Sequence, residues 1–189
     1  MLQIRRPTLH DLNDCVRLDS SYTTQRVWQM SLDVEAHDIQ SNFHLIYLPR
    51  PVTFTIAPVT ENLLQCWQRG DCLLAARMQR PETTQDALVG SALVGFIHLL
   101  PDPQTRSGRI VHHAIAPDHR RRGIGGRLLQ AAIRWAREHN LHSATVEVPT
   151  KNHPAISFYM EQGFTFTGFH ERTYGDQEII FQLARSTLR

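Results

Sequence analysis

A short basic turn in the middle of the chain carries the residues best suited to binding an anion. Residues 110–127 read IVHHAIAPDHRRRGIGGR, an apolar run followed by arginines and glycines. Glycine lets an anion approach the backbone because it has no Cβ. The N–H groups at the start of the following helix and the arginine guanidiniums both favour negative charge. The pattern therefore indicates a phosphate site formed by Arg120, Arg121, Arg122, Gly123, Ile124, Gly125 and Gly126.

The spacing of these glycines excludes the two commonest nucleotide motifs. A P-loop requires a lysine after its last glycine, and none follows here. The dinucleotide fingerprint requires a third glycine where this chain has Leu128. What remains is R-x-x-G-x-G, formed by Arg120, Gly123 and Gly125. Taken alone, this motif is equally compatible with a basic turn that only caps a helix.

With a strand before it and a helix after it, R-x-x-G-x-G resembles the acyl-CoA pyrophosphate loop of the GCN5-related N-acetyltransferase (GNAT) family. A second signature of that family, N-x-x-A-x-x-F-Y-x-x-x-G-F, is also present. Both signatures occur in the family's order, and the resemblance is firm over residues 88–183 and weaker over the first 30. The second signature is matched by Asn152, Ala155, Phe158, Tyr159, Gly163 and Phe164.

The resemblance implies direct acetyl transfer from acetyl-CoA to an amine, without a metal. Tyr159 matches the family tyrosine placed near the sulfur of CoA, which makes it the candidate general acid. The segment from Glu147 through Asn152 to Tyr159 resembles bacterial ribosomal-protein alanine N-acetyltransferases, in which a glutamate at this position is the general base. It is also similar to a stretch of streptothricin acetyltransferases. Glu147 is therefore the candidate base.

Each of these assignments has a structural alternative. Tyr159 could be a buried helix tyrosine, and Glu147 a solvated charge at the end of a strand. Other family members carry a base glutamate where this chain has Arg109, which cannot accept a proton. His112 and His113 are competing bases, but neighbours on a strand face opposite sides, so at most one can serve a shared site.

Three further residues are expected to position the cosubstrate. Ile115 and Ala116 resemble the stretch whose backbone pairs with the pantetheine arm of acyl-CoA. Asn152 either contacts the cosubstrate or caps the helix that follows. These residues complete the predicted binding set.

Composition sets the broad class of the protein. The 189 residues, 41% apolar and 20% charged, predict one domain over 1–189. Residues 20–70 are longer than the family resemblance requires, so they are expected to form a variable acceptor-side segment. The three scattered cysteines are expected to be reduced thiols, and no histidine or cysteine cluster supports a metal site.

No apolar run is long enough for a membrane span or a signal peptide, so we expect a cytoplasmic protein. A net charge of +2 argues against nucleic-acid binding.

Hydrophobic periodicity predicts a series of strands and helices, and the resemblance implies that they form a mixed α/β fold of six or seven strands with helices on both faces. The resemblance implies that two central parallel strands, 110–116 and 144–148, splay apart to admit acyl-CoA. Within the variable segment, 43–48 and 52–56 are predicted to pair as a hairpin around Pro49-Arg50-Pro51. The other predicted strands are 3–6, 72–78, 88–100, 165–169 and 178–183, and the predicted helices are 8–18, 61–69, 125–139 and 154–163.

The sequence therefore predicts an acetyl-CoA-dependent N-acetyltransferase. Its acceptor would be the primary amine of a small molecule or of a protein N-terminus, and the family resemblance allows a homodimer. One alternative is a non-catalytic acyl-CoA-binding or regulatory module on the same fold. The other is a nucleic-acid-binding protein that uses Arg120–Arg122, which the low net charge disfavours.

Overall fold

The computed structural model describes residues 1–56, 62–79, 91–172 and 178–188. In this part of the chain a seven-stranded sheet follows the order β1-β4-β5-β6-β7-β9-β8, and β2 and β3 form a separate two-stranded sheet. The strands are β1 Leu2–Arg5, β2 Tyr22–Glu35, β3 Asp38–Phe54, β4 Cys72–Gln79, β5 Ser91–Asp102, β6 Ser107–Ile115, β7 Ser143–Pro149, β8 Thr165–Arg172 and β9 Glu178–Ser186. The α-helices are α1 Leu9–Arg17, α2 Leu63–Arg69, α3 Ile124–Glu138 and α4 His153–Glu161.

The strand directions confirm the predicted mixed sheet. β1, β4, β5 and β6 pair antiparallel in turn, and β8 pairs antiparallel with β9. β6 and β7 are parallel, with Ser107–Ile110 in register with Ser143–Val146. The predicted central parallel pair is therefore present, whereas its splay stays a prediction. Most of the predicted loop 79–87 and the first residues of the predicted strand 88–100 lie outside the described residues.

The chain divides into two compact units, each described here by itself. The first comprises Met1–Ser20, Ile56–Val146 and Arg185–Arg189, and the second comprises Ser21–Thr55 and Glu147–Ala184. The organisation of residues 1–189 as a single domain stays a prediction.

The first unit contains two helices, α1 and α3, that match the predicted helices 8–18 and 125–139. Thr8 caps α1, and its side chain and that of Asp11 bond each other's backbone N–H groups in a capping box. In α3 the apolar residues recur at helical spacing, and the face that they form is buried. Its buried members are Ile124, Leu128, Leu129, Ala132, Ile133 and Ala136.

The hairpin predicted around Pro49-Arg50-Pro51 in the second unit is wrong. The segments on both sides of these prolines belong to one strand, β3, and both pair with β2. The chain reverses instead at Ala36-His37. A register shift between Thr24 and Arg26 places the prolines in an irregular part of the ladder, where a strand does not need their missing N–H groups.

Aromatic side chains hold this hairpin to the rest of the second unit. The Phe43 ring meets Phe166, Phe169 and Phe181 edge-on, with ring centroids 6.0, 5.0 and 4.8 Å apart. Such edge-to-face pairs add stability beyond the area that they bury. A two-stranded sheet is marginally stable on its own, so β2 and β3 depend on this packing.

The three cysteines are buried free thiols, as predicted. Burial raises the pKa of Cys15 and of Cys72 to about 12, so both are protonated at neutral pH. In the described part of the chain, no helix has the length and apolar character needed to cross a bilayer.

Gly95 on β5 tests how tightly the sheet packs beside β6. A Cβ at this position would lie 2.5 Å from Ile115 Cδ1 and 2.8 Å from the carbonyl oxygen of Ala114. We expect Gly95→Ala to lower the free energy of unfolding by about 1–3 kcal/mol, because a backbone atom cannot move aside cheaply. Urea denaturation measures this change. Gly168→Ala is the control, since its Cβ would meet only the flexible end of Gln182, and equal stability of the two variants would contradict the packing described.

Candidate active site

The basic turn joins β6 to α3 through a strained stretch of backbone. A 3-10 turn at Pro117–His119 is followed by Arg121 and Gly123, both with left-handed φ values of 60° and 76°. Glycine adopts this conformation readily, whereas for arginine it costs about 1–3 kcal/mol. Strain of this kind persists where the surrounding structure fixes the turn.

Arg120 is one of the residues that fix it. Its Nε donates to the carbonyl oxygen of Ile115 at 2.9 Å, and its Nη2 donates to that of Asp19 at 3.3 Å. The guanidinium thus ties the turn to the end of β6 and to the chain after α1. Arg121 and Arg122, by contrast, are exposed. The expected contacts of Arg120, Arg121 and Arg122 with a phosphate stay predictions.

The first turn of α3 offers backbone donors. Gly123 is the N-cap residue and supplies no side-chain cap. The first N–H groups of a helix have no partner within the helix, and the helix dipole adds positive potential there. A Cβ on Gly123 would meet no atom within 4 Å, so the space beside the turn is open. An anion can therefore approach the backbone at Gly123.

His113 on β6 forms a hydrogen bond with the backbone of Gly125 in the first turn of α3. His113 as a whole is half-buried, but its ring Nε2 is shielded from solvent. Burial of this nitrogen matters for the pKa, because the proton binds to the ring nitrogens. Burial lowers the pKa to about 4, although a hydrogen bond with the backbone of Gly125 acts in the opposite direction. His113 is therefore uncharged at neutral pH. Its partner Gly125 is one of the residues expected to bind phosphate.

His112 lies on the other face of β6, as expected for adjacent strand residues. Its ring stacks on that of His98 at 6.0 Å and lies 6.0 Å from Phe96. The two histidines therefore contact different residues on opposite faces of β6. Neither assignment as a base is tested by this placement.

The end of β6 keeps some of its backbone groups away from β5. The N–H of Ala116 donates to the carbonyl oxygen of Val94 on β5 at 2.9 Å. Successive residues of a strand point their N–H groups to opposite edges, so the N–H of Ile115 points away from β5. This orientation suits the predicted pairing with a pantetheine arm, which stays a prediction for Ile115 and Ala116.

Asn152 and Tyr159 both belong to α4, in the second unit. The Asn152 side chain accepts a bond from Ala155 N–H at 3.1 Å and is the N-cap of the helix. Its expected contact with the cosubstrate stays a prediction. Tyr159 is 4% exposed and meets Phe164 edge-on at 5.2 Å. Burial raises its pKa above the usual value, so the phenol holds its proton at neutral pH and can act as an acid but not as a base.

Glu147 lies near the end of β7 with its side chain 39% exposed. Its Oε1 is 3.6 Å from Nε2 of His170 on β8. Sequence reasoning did not find His170, because no local pattern reveals which residue of β8 faces a given residue of β7.

A group of potential metal ligands was also missed. Cys66, Asp71 and His98 place their ligand atoms within 4.8 Å of one another, although their spacing matches no metal motif. Arg69 already donates to Asp71, and His98 Nε2 lies 3.4 Å from the same carboxylate. Burial acts to raise the pKa of Asp71, but the bonds from Arg69 and His98 outweigh it and hold the pKa below its usual range.

The lowered pKa of His113 predicts a pH-dependent stability. Between about pH 6.5 and pH 4 the unfolded chain binds a proton that the folded chain excludes, so stability falls as the pH is lowered through this range. In His113→Gln the loss of unfolding free energy between pH 7 and pH 5 should be smaller by on the order of 1–2 kcal/mol. Urea denaturation at both pH values measures it. His142→Gln, at an exposed histidine, should behave as wild type; an unchanged pH dependence in His113→Gln would contradict the burial argument.

Known proteins match both the sequence and the fold. The acetyltransferase (GNAT) family model matches residues 39–164. An N-alpha-acetyltransferase of Sulfurisphaera tokodaii is 34% identical over 92 residues, which cover 48% of this chain and 55% of that protein. A streptothricin acetyltransferase of Streptomyces lavendulae is 40% identical over 60 residues, 32% of each chain. The matched part thus spans at most about half of these relatives.

The crystal structure of a nourseothricin acetyltransferase has the same fold. It superposes with a TM-score of 0.79 at 22% identity and covers 99% of both chains. The family match extends over more than half of the sequence and includes the basic turn and α4. The chain belongs to the acetyltransferase (GNAT) family.

Proposed function

We propose that this protein transfers an acetyl group from acetyl-CoA directly to a primary amine. The observation that carries the proposal is the start of α3, where a helix without a side-chain cap follows a turn with two exposed arginines. The residues of this turn fit a diphosphate. The N–H groups of Ile124–Gly126 would donate to phosphate oxygens, and Arg121 and Arg122 would neutralise its charge.

The transfer step requires one group that takes a proton and one that gives a proton. Glu147 accepts a proton from the amine as its nitrogen bonds the acetyl carbon. Tyr159 donates its phenolic proton to the sulfur as the carbon–sulfur bond breaks. A carboxylate that is partly exposed can exchange protons with an entering amine. A buried phenol with a raised pKa is a proton donor throughout the neutral range.

The acceptor is an amine of one of two kinds. The relatives include proteins named for N-alpha acetylation and for streptothricin acetylation. The segment 20–70, which contains the long β2–β3 hairpin, is proposed to face the acceptor. A homodimer and a cytoplasmic location stay predictions, as does the expectation that the protein binds neither nucleic acid nor membrane.

The experiment that tests the function is release of CoA thiol from acetyl-CoA in the presence of different amines. Separate arms contain polyamines, aminoglycosides, streptothricin and short peptides with unblocked N-termini. We expect one arm to exceed the rate of hydrolysis without acceptor. Saturable binding of acetyl-CoA with no release in any arm would favour the non-catalytic acyl-CoA-binding module instead.

Gly123 tests the phosphate turn. In Gly123→Val, a side chain occupies the open space beside the backbone, and we expect the affinity for CoA to fall about 10- to 100-fold as bonds to a charged group are lost. Calorimetric titration measures the affinity. The matched control is Gly70→Val, because Gly70 also has a left-handed φ, 87°, with no atom within 4 Å of a Cβ. Both variants carry the same backbone strain, so equal CoA affinity in the two would overturn the assignment.

Tyr159 tests the proton donor. Tyr159→Phe removes one hydroxyl and keeps the ring that packs on Phe164, so the fold should survive. We expect kcat to fall about 10²- to 10⁴-fold while KM for acetyl-CoA changes little. Steady-state kinetics measures both. Near-normal kcat with a lowered melting temperature would show that the tyrosine serves packing alone.

A further inference from the structure

His170 on β8 directs a ring nitrogen at the carboxylate of Glu147 on β7. The distance from Nε2 to Oε1 is 3.6 Å. β9 lies between these two strands, and His170 is paired with Ile180 of β9. The contact therefore crosses a complete strand, so both side chains must extend over the sheet toward each other.

The burial of this nitrogen is unusual for a residue at the surface. The His170 side chain is 39% exposed, yet Nε2 itself is shielded from solvent and has no hydrogen bond in the described part of the chain. Leaving a shielded polar atom without a hydrogen bond is energetically costly. The charged group that Nε2 faces is the Glu147 carboxylate, which is the proposed base.

We propose that His170 is the positioning residue of Glu147, an inference that rests on the proposed function. With an acceptor amine bound, the Nε2–H tautomer of the ring donates to Oε1 and holds the carboxylate still, which leaves Oε2 to take the proton of that amine. A separation of 3.6 Å is too long for a hydrogen bond. Catalytic hydrogen bonds are often long without substrate and shorten when it binds, and this contact closes in the same way.

A double-mutant cycle tests the inference with acetyl-CoA and an accepted amine. Glu147→Gln should lower kcat about 10²- to 10⁴-fold. His170→Phe should lower kcat by up to about 100-fold, because a misplaced base loses much of its effect, with KM for acetyl-CoA unchanged. In the Glu147→Gln background the same His170→Phe change should alter kcat less than about twofold. Additive effects would overturn the inference, because His170 would then act independently of Glu147.

Two conservative variants separate positioning from packing. In His170→Gln the amide nitrogen reaches the place of Nε2 and should retain most of kcat, whereas in His170→Asn it is too short and should not. His142→Phe, at an exposed histidine, is the control and should leave kcat unchanged. Equal activity of the Gln and Asn variants would contradict the role of the Nε2–Oε1 contact.

A nuclear magnetic resonance measurement makes the result independent of turnover. The Nε2 resonance of His170 should move in Glu147→Gln even before an acceptor is known, and an unmoved resonance would overturn the proposal. If the resonance moves but no amine releases CoA thiol, the contact stands and the proposed function fails. If an amine is acetylated and Glu147→Gln leaves kcat unchanged, the function stands and the role of His170 fails.

Discussion

The N–H groups at the start of α3 are the constraint on which the proposed chemistry depends. Helix N-termini require acceptors, and Gly123 provides none from a side chain. Neighbouring residues preserve this opening. Arg120 uses its guanidinium on two backbone carbonyls, and His113 bonds the backbone of Gly125 while staying neutral. The helix start is therefore held in place by the protein while its outward donors suit an anion.

In the second unit, the proposed transfer requires a proton donor that keeps its proton at neutral pH. Tyr159 is buried in α4, and its raised pKa keeps the proton on oxygen. Glu147 is partly exposed, at the end of a strand. The aromatic contacts of Phe43 help to fix the hairpin of the same unit.

Local signals made much of the fold and part of the site predictable. The capping box at Thr8, the apolar face of α3 and the Arg-Gly turn depend on residues close in sequence, and the structure confirms these elements. The family match over residues 39–164 confirms what two separated motifs suggested. The sequence also marked Asn152 at the start of a helix, and the structure shows the cap.

Pairings between distant segments were not predictable in the same way. The prolines of β3 indicated a turn, but in the structure they lie at a register shift within the β2–β3 ladder. That shift depends on the pairing of both strands. His170 meets Glu147 across β9, and Cys66 meets His98 through the pairing of β4 and β5 and the packing of α2. Strand order and register bring these residues together, and neither can be read from one segment.

Amide spectra recorded during a titration with CoA test the central claim most directly. If the helix start holds the phosphates, the largest shifts should fall on the N–H groups of Ile124, Gly125 and Gly126, with saturation at one equivalent. Removing the pyrophosphate by titrating pantetheine alone should leave these three resonances nearly unmoved. Saturable CoA binding that shifts other amides and leaves Ile124–Gly126 unchanged would contradict the account.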